Sequence, residues 1–315
     1  MDDVKKKLLL MGAGGSGKSS MRTVIFSNYL SNETHNFSAT PNVEHTNVKL
    51  LGNLTLGLWD TSGQKLIMDN YFTTQREHIF KNVAALIYVI DVSSNEPNQD
   101  LELFKNCLEA LKQYSKKAKI FCLIHKMDLK TEKTRREIYF DKKKEIEEIA
   151  KGIKVRCFST SIWHKSLYFA WAKIVYSLIP NVDLIKSNLE KFCKIIGAKE
   201  VVLFEKNTFL VMCYASVQEN SSNKEQRPVK FERISGIVKQ YRVCCRKAKT
   251  KFSSLEIRHN NFVAIFQEFT SNTCILVVAK ETEIEPEIIK LNINNSINQF
   301  ELLFHKVKMK SSKKK

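Results

Sequence analysis

Between a run of apolar residues and a run of helical character, the stretch Met11–Ser20, MGAGGSGKSS, gathers four of the chain's ten glycines. Glycine loses more freedom on folding than any other residue, so such clustering is costly unless bare backbone is needed. The residues Gly12-Ala13-Gly14-Gly15-Ser16-Gly17-Lys18-Ser19 fit the spacing G-x-x-x-x-G-K-[ST]. This places a strand, a tight loop and a helix in immediate succession. Such a loop can turn several N–H groups onto one anion, because no side chain intervenes. The new helix adds its free N–H groups and the positive end of its dipole. Lys18 then reaches terminal phosphates, and the Ser19 hydroxyl suits Mg²⁺. Ser16 offers its N–H, and Ser20 reads as a helix-start residue. A glycine turn with a chance Lys-Ser would not require the flanking strand and helix.

Apolar, β-branched runs alternate with amphipathic stretches through the first half. KKLLLMG reads as a strand and Gly17 to Leu30 as a helix. VEHTNVKLLG and NLTLGLWD read as a hairpin turned at Gly52-Asn53. AALIYVID, AKIFCLIH and IKVRCFS are further strands, with helical patterns near Asp100 to Tyr114, Arg135 to Ala150 and Lys165 to Leu178. The alternation predicts an α/β domain, a six-stranded mostly parallel sheet with helices on both faces, over residues 1–181. At Pro180-Asn181 the pattern breaks. A helix (Val182 to Ile196) and the strands EVVLFE and TFLVMCYA follow, then the polar stretch SVQENSSNKEQRP. A helix near Phe231 to Lys247, three strands (FSSLEIR, NFVAIFQEF, TCILVVAK) and a helix from Pro286 to Val307 complete the chain. This predicts a second, α+β domain over 182–307, built on a five-stranded antiparallel sheet, and a basic tail over 308–315.

Hydrophobic residues make up 43% of the 315 and charged residues 27%, enough to bury a core. The longest apolar run, Val83 to Val92, is strand-sized, and MDDVKKK lacks the h-region of a secretory signal. The expectation is a soluble intracellular protein. Eight scattered cysteines match neither a zinc site nor a disulfide framework, so buried reduced thiols are expected. Net charge is +18. Much of it is Lys on helices with Glu at helical spacing, as in DKKKEIEEIAK, which reads as a solvated face. Without interleaved aromatics, no nucleic-acid partner is expected.

Three further stretches fall at strand ends, where ligands bind in such sheets. In LWDTSGQ, Asp60 can hold Mg²⁺, Gly63 can bring its N–H to a γ-phosphate, and Gln64 can orient an attacking water. In HKMD, Asp128 can accept from the N1–H and exocyclic amine of guanine, where adenine has no matching pair of donors. The stem of Lys126 can cover the base. His125 reads as a structural hydrogen-bonding group. In FSTSIW, Ser161 and Ile162 can bring backbone toward the base, although a plain turn explains them nearly as well. The polar segment NETHNFSATPNVEH offers Thr40 or Thr46 for Mg²⁺ and the γ-phosphate. Thr34 sits close to the preceding helix.

Together these stretches resemble the Ras-like superfamily of regulatory GTPases, and within it the Rag GTPases of the A/B (Gtr-like) subtype. LLLMGAGGSGKSSMR, VEHTNVKLLGNLTLGLWDTSGQ, NYFTTQREHIF, IFCLIHKMDL and TSIWHKSLYFAWAKIVYSLIPN carry the resemblance in the first half. His125 stands where Ras-like proteins usually have Asn, and HKMD is the Rag form. EVVLFEKNTFLV and NFVAIFQEFTSNTCILVV extend the similarity through the second half. The stretch near Gln218 to Gln226 and the tail fit least.

The resemblance implies a GTP/GDP-binding switch with Mg²⁺. It implies a roadblock/longin-like second domain that heterodimerises with a C/D-type Rag. It further implies a Ragulator-like scaffold, a TOR complex subunit and a GTPase-activating protein as partners. Membrane association at the lysosome or vacuole is indirect, and the chain lacks myristoylation and CaaX signals. Carried over, phosphate and Mg²⁺ contacts fall on Gly15, Gly17, Lys18, Ser19 and Ser20, with Thr40 the first-switch threonine. Gly63 and Gln64 belong to the second switch, and His125, Asp128 and Ile162 to the base pocket. Pro41, just after Thr40, departs from the usual pattern. Arg22 and Arg76 lie near these residues in sequence, yet neither is placed as an internal arginine finger. A catalytically inert nucleotide-bound scaffold and a Ras/Arf-like trafficking GTPase are the competing readings.

Overall fold

The structure, a computed structural model, describes residues 4–27, 31, 34, 43–49, 54–62, 65–217, 227–250, 252–280 and 285–306. The chain divides into two compact units. One comprises Val4–Val48 and Thr55–Ala170, and the other contains the chain from Trp171. The division falls inside a helix, ahead of Pro180-Asn181.

In the first unit the elements run β1 (Val4–Met11), α1 (Lys18–Phe26), β2 (Glu44–Lys49), β3 (Leu54–Asp60), α2 (Lys65–Phe72), α3 (Arg76–Phe80), β4 (Val83–Asp91), α4 (Pro97–Tyr114), β5 (Lys119–His125), α5 (Glu132–Ala150), β6 (Val155–Ser159) and the start of α6 (Ser166–Leu178), the helix in which the division falls. The sheet order is β2-β3-β1-β4-β5-β6. The pairs β1–β4, β4–β5 and β5–β6 are parallel. Neighbouring β2 and β3 are separated by four residues, 50–53, too few for a parallel crossover, so they run antiparallel. Side chains alternate across the sheet. Leu9, Met11, Leu86, Tyr88, Ile120 and Cys122 pack with Phe80 of α3, Phe104 of α4 and Ile146 of α5. On the other face Phe158 stacks on Phe121 and meets Phe169 of α6.

The second unit holds α7 (Val182–Ile195), β7 (Glu200–Glu205), β8 (Val211–Ser216), α8 (Arg227–Lys247), β9 (Ser254–His259), β10 (Phe262–Thr270), β11 (Thr273–Ala279) and α9 (Pro286–Lys306). Its strands pair antiparallel in the order β8-β7-β11-β10-β9. Val238 of α8 packs on Val202, Phe204, Ala264 and Phe266. Phe192 of α7 and Phe300 of α9 converge on Phe269.

The structure departs from the sequence expectations in several places. The segment after Asp60 carries two helices, α2 and α3, which the apolar periodicity does not announce. Helix α1 ends at Phe26 rather than Leu30, and α8 begins at Arg227, inside the polar stretch. Pro228 is tolerated there because first-turn N–H groups have no intrahelical acceptor. Strand β8 begins at Val211, not Thr208, because Glu205 captures the Asn207 and Thr208 N–H groups and the Thr208 hydroxyl (3.0, 2.6 and 2.6 Å). That turn carries Phe209 at φ 54°. Five of the eight cysteines are buried as expected, but Cys244, on α8, is exposed. No helix among the described residues is long and apolar enough to cross a membrane.

Candidate functional site

The central strand β1 ends at Met11, and the loop 12–17 leads into α1. Two glycines are required by geometry. A Cβ on Gly12 would lie 2.3 Å from the Val89 carbonyl oxygen. Gly17, at φ 94°, starts α1, and a Cβ there would lie 2.9 Å from Cδ2 and 3.0 Å from Nε2 of His125. Lys18 Nζ donates to the Gly12 and Ala13 carbonyls, each at 2.8 Å, across the mouth of the loop. Burial pulls the Lys18 ammonium down to about 8, against the opposing pull of Asp60 and Asp100. Ser16 is buried beneath the loop.

Asp60 at the end of β3 is fully buried. Burial raises its pKa, while the Ser19 hydroxyl, Arg22 and Lys18 pull it back toward the ionised form. Thr61 donates through N and Oγ1 to the Leu10 carbonyl (3.2 and 2.9 Å), which locks this turn against β1. Asp60 Oδ2 accepts from Arg22 Nε at 2.9 Å, whereas Oδ1 is buried with no hydrogen-bond partner. An unpartnered carboxylate oxygen near a serine hydroxyl fits a hard divalent cation. Among the described residues no cluster of three His, Cys, Asp or Glu side chains exists to hold a metal by itself. An ion bound through one hydroxyl, one carboxylate and a nucleotide's own phosphates needs no such cluster.

The third part lies where β5 and β6 end. His125 is buried, and its Nδ1 sits 2.9 Å from the Thr160 hydroxyl. Burial, helped by Lys126 and opposed by Asp128 and Asp91, pushes His125 down to about 4, so the ring is neutral. Lys126 adopts φ 60°, and its Nζ pairs with Asp91 at 2.6 Å. Asp128 follows in a single 3₁₀ turn, Met127–Leu129. Met127 N donates to the Thr160 carbonyl at 3.2 Å, joining this turn to the loop after β6. Ser161 is buried there and accepts from Trp163 N at 3.1 Å. The Ile162 carbonyl accepts from Ser31 Oγ at 2.6 Å.

The sheet order therefore brings Gly12 through Ser20, Asp60, His125, Lys126, Asp128, Ser161 and Ile162 to the carboxyl ends of its strands, the usual ligand edge of an open α/β sheet. Thr40, Pro41, Gly63 and Gln64 lie outside the described residues. Thr46 is on β2, where its hydroxyl accepts from Arg22 Nη1 at 3.2 Å. Sequence reasoning left out Asp100, whose charge acts on Lys18, and Thr160, the partner of His125. It set Arg22 aside as a finger without finding its role. The available signal was spacing: Arg22 is four residues after Lys18, on the same side of α1.

A glycine loop of P-loop form between β1 and α1, an acid at the end of β3 and the HKMD turn after β5, gathered at one sheet edge, mark a P-loop GTPase domain. The profile described as "Gtr1/RagA G protein conserved region" matches residues 7–238. The chain is 48% identical over 299 residues to Ras-related GTP-binding protein A of Dictyostelium discoideum, covering 95% of this chain and 97% of that one. It is 46% identical over 293 residues to GTP-binding protein gtr1 of Schizosaccharomyces pombe, covering 93% and 94%. GTP-binding protein GTR2 of Saccharomyces cerevisiae matches at 30% over 69% of this chain. The chain belongs to the Gtr1/RagA family of Rag GTPases, on its A/B side, and binds GTP and GDP.

Proposed function

We propose that this chain is the A/B-type subunit of a Rag heterodimer. It pairs through its second unit with a C/D-type Rag and relays amino-acid sufficiency to the TOR kinase complex. It does so at the lysosomal or vacuolar surface, held there by a Ragulator-like scaffold. Similarity to A-type relatives along almost the whole chain, second unit included, is the observation that carries this reading.

In the switch cycle the loop N–H groups of Gly14, Gly15, Ser16 and Gly17 and the Lys18 ammonium hold the phosphates, with Ser20 at the helix start. Asp128 reads guanine, Lys126 covers it, and Ser161 and Ile162 close the pocket, with His125 beneath. Ser19, Asp60 and Thr40 would hold Mg²⁺, which offsets phosphate charge when bound. Thr40 and Gly63 fasten the two switches to the γ-phosphate, and Gln64 orients the attacking water. A helper protein accelerates the slow hydrolysis.

Partner pairing is supported by an open edge. Strand β9 bonds β10 on one side and has no strand on the other among the described residues. Such an edge invites another strand. Ile257 on β9 and Ile237 and Tyr241 on α8 are each about half exposed, at 44%, 51% and 53%.

The test is purification with tagged bait. A second, C/D-type Rag chain in stoichiometric amount is expected, and a clean monomer counts against the reading. In binding assays guanine nucleotide is preferred over adenine, and Asp128→Asn weakens GDP binding by at least about a hundredfold, since an amide cannot accept from both guanine donors as the carboxylate can. Equal binding of GTP and ATP by the wild type refutes the guanine role.

A further inference from the structure

Asp60 divides its two oxygens. Oδ2 accepts from Arg22 Nε at 2.9 Å, and Oδ1 is buried without a hydrogen-bond partner. The Arg22 side chain is itself only 16% exposed. Its Nη1 donates to Thr46 Oγ1 at 3.2 Å, and its Nη2 pairs with Glu44. Thr46 and Glu44 both belong to β2, the strand entered from the segment that contains Thr40. Three nitrogens of one planar group thus meet three residues on two strands.

Resting on the nucleotide-binding role given above, the geometry points to Arg22 as a positioning residue. It turns Asp60 so that Oδ1 faces the divalent cation held with the nucleotide, and it ties that acid to β2. With Oδ2 pinned, the carboxylate cannot rotate its free oxygen away from Ser19. Lys18, Ser19 and Arg22 lie within one turn of α1, so the same helix that presents the phosphate and cation ligands also sets the acid opposite them. A bare guanidinium beside a cation site would repel the ion. Glu44 cancels that charge, so Arg22, Glu44 and Asp60 together keep one net negative charge for the cation. A lysine ammonium is a single point and cannot span three diverging acceptors. Arg22 is therefore distinct from an arginine finger: its nitrogens are committed to two carboxylates and a hydroxyl rather than aimed at a γ-phosphate.

The test follows release of a fluorescent GDP analogue from the full-length chain across free Mg²⁺ from micromolar to millimolar. Wild-type retention at saturating Mg²⁺ checks the nucleotide role alone; a wild type that never holds GDP fails that role, not this one. Arg22→Gln is expected to need about tenfold more free Mg²⁺ for half-retention, the loss of one charge-assisted hydrogen bond. Glu44→Gln, altered at the partly exposed end of the same fork, shifts the midpoint the same way by about threefold. Arg22→Lys, with the charge but not the fork, behaves like Arg22→Gln. An unchanged or lowered Mg²⁺ midpoint in Arg22→Gln overturns the assignment, as does full rescue by Arg22→Lys. If the Arg22 variants do not fold, Glu44→Gln decides alone, and no shift overturns it.

Discussion

Replacing Gly17 by Ala tests the contact between the glycine loop and His125 at the end of β5. The backbone at Gly17 has φ 94°, and a Cβ would meet His125 Cδ2 at 2.9 Å and Nε2 at 3.0 Å. The left-handed conformation costs a residue with a Cβ about 1–2 kcal/mol. The ring cannot move aside freely, because it is buried and its Nδ1 is bonded to Thr160 Oγ1. Forcing one carbon into such packing costs a further ~1–3 kcal/mol. The two effects separate in a double-mutant cycle with His125→Ala, because alanine has no atoms at the Cδ2 and Nε2 positions. Affinity for a fluorescent GDP analogue and the thermal midpoint are measured for all four proteins. In the wild-type background Gly17→Ala weakens GDP binding by at least about tenfold, since the loop itself is displaced. In the His125→Ala background only the backbone strain remains, so the cycle yields a coupling of about 1–3 kcal/mol. Penalties that add within about 0.5 kcal/mol would falsify the contact as the source of the effect.

The buried neutral His125 makes the first unit acid-sensitive. Its folded pKa of about 4 lies below the unfolded value of 6.5, so its contribution is whole above pH 6.5 and is lost as pH falls toward 4. The loss is on the order of 3 kcal/mol; urea midpoints across that window should flatten in His125→Asn, and equal slopes count against burial as the cause. Glu205→Ala strands the buried Thr208 N–H and hydroxyl of the turn before β8 and lowers the stability of the second unit by about 3 kcal/mol. Calorimetry should record this with GDP affinity unchanged, and a silent substitution contradicts the role of the turn. Ile257→Arg, at a half-exposed position on the open edge, leaves the isolated chain stable to within about 0.5 kcal/mol. It should abolish co-purification of a C/D-type Rag, whereas an intact complex argues that β9 is not the pairing edge.

The phosphate loop was legible because its parts are neighbours in the chain. Strand β1, the loop and α1 are consecutive, and glycines stand at 12, 15 and 17, where the backbone takes positive φ. The strands were legible as short, nearly continuous apolar and β-branched runs, and the second sheet through the same signal. Helices α2 and α3 escaped because they are short and mix aromatic with polar residues, so no long apolar stripe forms. The true start of β8 escaped because a carboxylate, Glu205, outcompetes the strand for two N–H groups. Neither case violates local propensity; each is decided by partners that propensity does not see.

From the order of its residues alone, this chain determines that it has a P-loop, an HKMD turn at a strand end, two sheets and a family. Those properties depend on groups a few residues apart, whose geometry short-range sterics and hydrogen bonding impose. The tertiary structure alone decides that Gly17 must be bare because of His125, that Thr160 holds that ring, and that Arg22 pins one oxygen of Asp60 and leaves the other free. These partners lie tens of residues or more apart, and only the order of strands in the sheet brings them within a few ångströms.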